Sequence, residues 1–515
     1  MRDILLTLIV IAGCFFTLKR PYIGILLLSW LSFMNPQSLC YGFALNAPFA
    51  QWTGVIVFGS MLYNKETKRP SLDAMSIIWI ALIVFMGVTT FFAYYSVAAD
   101  LQYKEVVKIQ LIMFLTLMLI TNMDKLNKLI WVIVLSMGFY SVKGGFFTIL
   151  TGGNLGIWGP TGTYIEDTNG LALAILMVIP LMVYLYQTND HKWIKQGLLG
   201  AIVFSLITVL KCQSNAALLA NIAVVVVYLI KRMGYLKFFG FLILFFSLIA
   251  IILSLMPPVW REAFSNDDGS NMGRINSWKF AINAANENWL GLGMGFDSWS
   301  PETYGIYSPN PEFVNSAHSI YFTILGEHGW FGLALFLLIF WMTWRKLTNI
   351  IQQTAGKKEY QQVHSLANLL TYSLIAYWAG GTFLNLAYFS LPWQLIAIVL
   401  ILSRIVAAQP VQVNSGFINI QEISLIPNTS LRQWYQSKES IAEQRAWLDS
   451  VEAERAFWAW CDSKHYFMYE IGTDEEIMEK FNEWTKSTDC ECTWLVSQWH
   501  QEALNRWNEN HAFTS

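Results

Sequence analysis

Hydrophobic residues along this chain fall in uninterrupted blocks instead of alternating with polar ones. The blocks run roughly over 4–18, 21–34, 48–63, 74–93, 105–121, 128–150, 168–187, 196–211, 214–230, 237–256, 318–344, 365–388 and 392–407. Most approach the ~20 residues that an α-helix needs to cross a ~30 Å hydrocarbon core. A spanning segment must satisfy its own backbone hydrogen bonds, so the blocks predict helices. The predicted fold is all-α and polytopic, with twelve or thirteen transmembrane helices; the first two are short enough to form a tilted or partial hairpin. No small-residue cleavage site follows Ile4–Leu18 before the next block, so this segment reads as an uncleaved anchor. Two hydrophilic stretches interrupt the pattern and divide the chain into 1–256, 257–317, 318–407 and a soluble helical tail, 408–515.

Charge turns this pattern into a topology. The sequence is 55% hydrophobic and 13% charged, against about 25% charged in ordinary soluble chains. Alternate connections carry Lys19-Arg20, Lys65/Lys68/Arg69, Lys125/Lys128, Lys192/Lys195, Lys231-Arg232/Lys237 and Arg345-Lys346/Lys357-Lys358. The intervening ones at 35–47, 151–167 and 389–391 carry no Lys or Arg, and 94–104 only Lys104. The positive-inside rule places the first set, and the tail, in the cytoplasm, and 257–317 on the outer, periplasmic face. The net charge of −2 also splits. Residues 1–407 hold 25 Lys and Arg against 18 Asp and Glu, whereas 408–515 hold 8 against 17. Such an acidic tail argues against nucleic acid as a partner, and the expected surroundings of the rest are membrane lipids.

Candidate chemistry gathers on the outer face. Lys211 lies at the outer boundary between two apolar runs, where an ionisable residue is either functional or a snorkelling anchor. The stretch from Asn271 to Ala285 reads as an amphipathic helix: Ile275, Trp278, Ala281, Ile282 and Ala285 recur at helical spacing, with Asn271 as its N-cap. Arg274 would occupy its first turn, where the dipole favours an anion, and Lys279 would join it if the helix lay in the interface plane. His318, one of seven histidines, opens the next span and can act as a general base or serve the structure. Glu327, some two and a half turns deeper, is expected to hold a basic residue in place. Gly291-Leu-Gly-Met-Gly-Phe follows a helix and lacks full dinucleotide spacing, so it predicts a tight turn. No phosphate-binding Gly-Lys-Ser/Thr loop is present, which leaves ATP-driven transport without support. In the tail, eight tryptophans and a capping box at Thr473-Asp-Glu-Glu predict a small helical module; Cys461, His465, Cys490, Cys492 and His500 fit no common zinc spacing.

Arg274 through Phe296, followed by Ala317-His-Ser-Ile-Tyr-Phe-Thr-Ile-Leu-Gly-Glu-His-Gly-Trp-Phe-Gly-Leu, resembles the signature region of the O-antigen ligase/polymerase (Wzy_C) superfamily. Met1-Arg-Asp-Ile, Arg20-Pro-Tyr-Ile-Gly, Trp30-Leu-Ser-Phe-Met-Asn-Pro and Gly159-Pro-Thr-Gly-Thr-Tyr-Ile-Glu-Asp look like its O-glycosylation ligase branch, relatives of the pilin-type O-oligosaccharyltransferases. The resemblance implies a GT-C-like membrane glycosyltransferase at the outer face of the bacterial inner membrane. Its donor would be an undecaprenyl-diphosphate-linked oligosaccharide. Its acceptor would be a pilin-like protein or, in the ligase and polymerase branches, another glycan or lipid A-core. His318 would be the catalytic histidine and Arg274 an arginine that binds the diphosphate. Where the family has a further Arg, this chain has Asn215, which leaves Lys211 as the substitute cation or the position without one. With Arg274, Arg261 and Lys211 or Lys279 neutralising the diphosphate, no metal or cofactor is expected. A transporter or flippase of a lipid-linked solute is the alternative from another class; it predicts an internal repeat, which the sequence does not show.

Overall fold

A computed structural model describes residues 1–64, 73–154, 156–233 and 269–408, with six isolated positions further on. The expected span at 237–256, Arg261 and nearly all of the tail lie outside the described residues. Two compact units divide at Ile405 and Val406.

Among the described residues every regular element is a helix, with no strand. The helices of the first unit are α1 (Arg2–Lys19), α2 (Pro21–Met34), α3 (Phe49–Tyr63), α4 (Ala74–Phe91), α5 (Ser96–Leu119), α6 (Met123–Leu150), α7 (Thr168–Thr188), α8 (Lys192–Lys211) and α9 (Asn215–Met233). After 234–268 come α10 (Gly269–Glu287), the short α11 (Pro301–Tyr307), α12 (Ile320–Thr354), α13 (Gln361–Gly380) and α14 (Ser390–Ala408). Among the described residues seven helices are long and apolar enough to cross a membrane: α4, α6, α7, α8, α9, α12 and α14. Helices α2 and α3 are apolar but shorter, whereas α1 and α5 carry additional charges. The exterior bears large exposed apolar side chains such as Leu8, Phe58, Val84, Leu135 and Leu206. In water such a surface would drive aggregation; against lipid it is the expected coat.

Side-chain contacts show that the helices run up and down. At one end, Lys125 and Lys128 (start of α6) lie over the Tyr22 ring (start of α2) at 5.2 and 5.7 Å. At the same end Tyr184 donates to Asn127 at 2.7 Å, and Arg404 donates to the Leu117 carbonyl at 2.9 Å. That arginine cation sits where the negative end of the α5 dipole favours it. Asp73 caps α4 by accepting from Ser76 N–H at 3.0 Å and pairs with Lys346 of α12 at 2.6 Å. Burial alone would raise the Asp73 pKa, but bonds from Lys346 and Ser76 outweigh it and hold the carboxyl below its usual range. The stabilisation is therefore present above about pH 4 and lost as pH falls through the lowered pKa. Asp73→Ala should cost about 1–2 kcal/mol, and Asp73→Asn, which keeps the cap, roughly half of that. Thermal unfolding in detergent checks both; equal melting of the two variants would remove the ion pair from the account.

Two predicted elements differ from the structure. Residues 365–388 do not form one span. Helix α13 stops at Gly380, and 381–389 form an irregular segment beginning with a short 3-10 turn. The glycine pair explains the stop: a Cβ at Gly380 would lie 2.6 Å from Leu173 Cδ1, and one at Gly381 2.6 Å from Ile320 Cδ1. Glycine allows that approach without moving Leu173 or Ile320, and glycine is also a poor helix former. Helix α10, read as able to lie in the interface plane with Ile275 on its apolar face, packs a shifted face into protein. Phe280, Ala281, Ala284 and Ala285 bury against Leu292, Trp299, Tyr304, Ala317 and Leu325, leaving Ile275 exposed. Aromatic partners decide the buried face: Phe280 stacks on Tyr304 at 4.3 Å and meets Trp299 at 5.1 Å.

Candidate active site

Helix α10 fixes the segment that leads into His318. Asn276 Nδ2 donates to the carbonyls of Asn310 (2.8 Å) and Phe313 (3.1 Å). Ser277 donates to Asn315 O at 3.3 Å, Tyr304 OH donates to the same carbonyl, and Trp278 Nε1 donates to Ala317 O at 2.9 Å. Trp278 also stacks on Phe322 of α12 at 4.9 Å. Helix α10 begins at or before Gly269, so Asn271 lies within it and is not its cap, and Arg274 is beyond the first turn.

His318 is half-buried and has φ of 43°, a left-handed conformation that few non-glycine residues adopt. The next residue, Ser319, caps α12. His318 Nε2 lies 3.1 Å from Asn315 Oδ1. A carboxamide oxygen only accepts, so Nε2 carries the proton and Nδ1 keeps its lone pair. Burial holds the imidazole pKa below its ordinary value, the Arg274 guanidinium adds to this, and the Asp167 carboxylate opposes it. The balance favours the neutral ring.

Arg274 is half-buried, with its guanidinium 5.7 Å over the Phe383 ring. It makes no ion pair among the described residues, so its donors remain available to an anion. Lys279 does not converge with it. Five residues further along α10, it is turned by about 140° and exposed on the same face as Ile275. Lys211 ends α8 beside Gly153, and both it and Asp167 act on Cys212, whose thiol burial pushes up to about 11. The Asp167 charge acts on both Cys212 and His318. Asp167 caps α7 by accepting from the N–H groups of Asn169 and Gly170 at 2.8 and 3.0 Å. Arg261 lies outside the described residues.

Among the described residues, the side chains that meet Glu327 are Trp299 and Tyr388 and no basic group. Glu327 is 4% exposed, with Trp299 Nε1 donating to Oε1 at 3.3 Å and Tyr388 OH donating to Oε2. The Tyr388 hydroxyl also contacts His328 Nε2 at 2.9 Å, and His328 Nδ1 meets Thr89 Oγ1 at 2.6 Å. This chain lies where α12 is broken: Gly329 has φ 64° and ψ −172°. The break frees carbonyls, and the glycine-rich loop supplies their donors. Leu292 N–H bonds Gly326 O at 2.9 Å and Gly293 N–H bonds Glu327 O at 3.0 Å. Residues 291–295 therefore do more than turn; they fill a gap in a membrane helix, as buried backbone requires.

Beside Asn315, a cavity of about 360 Å³ is lined by Phe296, Asp297, Trp299, Val314 and Ser316 among others. Asn315, Asp167 and Tyr388 were not sequence candidates: an amide, a helix cap and a tyrosine inside an apparent span carry no signal of their own. Lys143 was legible but missed. It is an ionisable residue inside the predicted 128–150 span, and it is exposed.

Residues 1–190 match a family of unknown function (DUF5935), and residues 200–337 match the O-antigen ligase family (Wzy_C). No curated protein matches the chain. The second match encloses Lys211, Arg274, His318 and Glu327; it supports the O-antigen ligase superfamily and, with it, glycan transfer by a membrane enzyme.

Proposed function

We propose that this chain transfers an oligosaccharide from an undecaprenyl-diphosphate-linked donor to a Ser or Thr hydroxyl of a pilin-like protein, at the periplasmic face of a bacterial inner membrane. The observation that supports this reading is the His318 imidazole, held through Nε2 by Asn315 and under the charge of Arg274, inside the O-antigen ligase match. The acceptor oxygen attacks the anomeric carbon, the bond from that carbon to the diphosphate oxygen breaks, and the acceptor proton passes to His318 Nδ1. Charge grows on the departing diphosphate, where Arg274 and Lys211 neutralise it, and no metal ion enters the scheme. The basic loops and the tail face the cytoplasm in this arrangement.

The name of the matching family, O-antigen ligase, favours a second reading, in which the acceptor is a glycan or lipid A-core. Intact mass of a co-expressed pilin separates the two: a glycan-sized increment that needs this protein is expected, and an unmodified pilin alongside elongated or lipid-attached glycan selects the second. Arg274→Lys keeps the charge but loses the planar fork, and should lower transfer about tenfold. Full activity in that variant would take the guanidinium out of donor binding.

A further inference from the structure

A second cavity, of about 430 Å³, opens between α6 and the loop 156–161. Its walls include Tyr140, Lys143, Phe147, Ile157 and Trp158. The wall is held in place. Tyr140 OH donates to Met34 O at 2.7 Å, Asn35 Nδ2 donates to Thr161 O at 3.0 Å, and Gly159 N–H donates to Glu166 O at 2.9 Å. Glycines shape it: a Cβ at Gly144 would lie 3.0 Å from Ile157 Cγ2, and one at Gly156 3.2 Å from Trp158 Nε1. Trp158 nevertheless stays 65% exposed. A large aromatic face left in contact with water at a cavity is costly unless something apolar and amphiphilic covers it.

Lys143 supplies the second half of the chemistry. It stands seven residues, about 10 Å, before the end of α6, within a helix otherwise fit to span a membrane. Its ammonium lies 6.0 Å over Phe139 and has no carboxylate partner among the described residues. An exposed ring beside an unpaired cation matches a pyranose carrying an acid: the C–H face of the sugar covers the indole, and its carboxylate or phosphate meets the ammonium.

We infer that this cavity is a saccharide subsite that takes a sugar bearing an acidic group. The inference rests on the glycan-transfer reading and deepens it, because one loop joins the two places: past Gly159 and Glu166 the chain reaches Asp167, whose field acts on His318. A glycan seated on Trp158 is thus held one loop away from the reacting centre.

Photo-crosslinking of the full chain tests this in nanodiscs of phosphatidylethanolamine and phosphatidylglycerol. The protein carries His318→Ala, so that no turnover intervenes, and Phe147→p-benzoylphenylalanine on the cavity wall. The probes are a free tetrasaccharide containing one hexuronic acid and its neutral counterpart. Adducts with the acidic sugar are expected at about ten times the neutral yield, in line with one charge-assisted contact. Lys143→Gln should erase that preference, and Trp158→Ala should lower both yields. Phospholipid adducts alone, or sugar yields that neither variant changes, overturn the subsite. The two readings fail separately: transfer surviving His318→Ala removes the catalytic scheme, whereas absent crosslinks beside a transfer-dead His318→Ala remove only the subsite.

Discussion

His318→Ala should lower glycan transfer by a factor of about 10²–10⁴, the range that positioned general bases supply. The fold should survive, because the imidazole is only half-buried and its one hydrogen bond among the described residues runs to Asn315. Transfer to a co-expressed acceptor, with size-exclusion behaviour as the control for folding, is the measurement. A correctly folded variant working at the wild-type rate would end the base assignment. The pH profile provides a sharper readout. Burial and Arg274 both disfavour the imidazolium, so the base stays neutral to lower pH than an ordinary histidine. Activity should then fall only as pH drops below the usual value of about 6.5. Asp167 acts in the opposite sense. Asp167→Asn removes that negative neighbour while keeping a capping side chain, and should move the acidic limb lower still. A limb that stays in place would mean that another group titrates.

Gly329→Ala should be among the most damaging single changes outside the chemistry. At φ 64° and ψ −172° the backbone lies in a region open essentially to glycine alone. A Cβ there would sit 2.1 Å from the Trp289 carbonyl oxygen. Backbone cannot swing aside as a flexible side chain can, so the loss should reach about 3 kcal/mol or more. Melting of the detergent-solubilised protein reads it out, with Gly305→Ala as the control, since a Cβ at that position meets nothing within 4 Å. Equal melting of the two variants would mean that the helix break is dispensable.

The spanning helices were legible because a membrane imposes one rule, a sustained apolar run, that needs no knowledge of neighbours. Helices α4, α7 and α8 follow it closely. What escaped depended on partners distant in sequence. Helix α13 looks continuous until Leu173 and Ile320 demand the Gly380-Gly381 approach. Tyr388, hidden in that apparent span, proves to be the partner of Glu327. The apolar face of α10 was legible at Ala281 and Ala285, but Ile275 is exposed and Phe280 buried because periodicity cannot know that Tyr304 waits for Phe280. His318 and Arg274 stood out by residue type and by resemblance, but the left-handed backbone of one and the ring under the other belong to the fold alone. Lys143 needed only closer attention to a charge inside an apolar block.

The plugged break in α12 bears on how the protein is made. Translation delivers the loop 291–295 before the helix that will receive it. A translocon would meet residues 320–354 as one long apolar segment, with nothing to mark Gly329 as a gap. Opening that gap inside the bilayer strips carbonyls of partners where no water can replace them. The break therefore needs residues 291–295 folded back against the helix before its carbonyls are satisfied. In the proposed orientation that segment must first cross the membrane, which would make completion of the His318 region a late event in biogenesis.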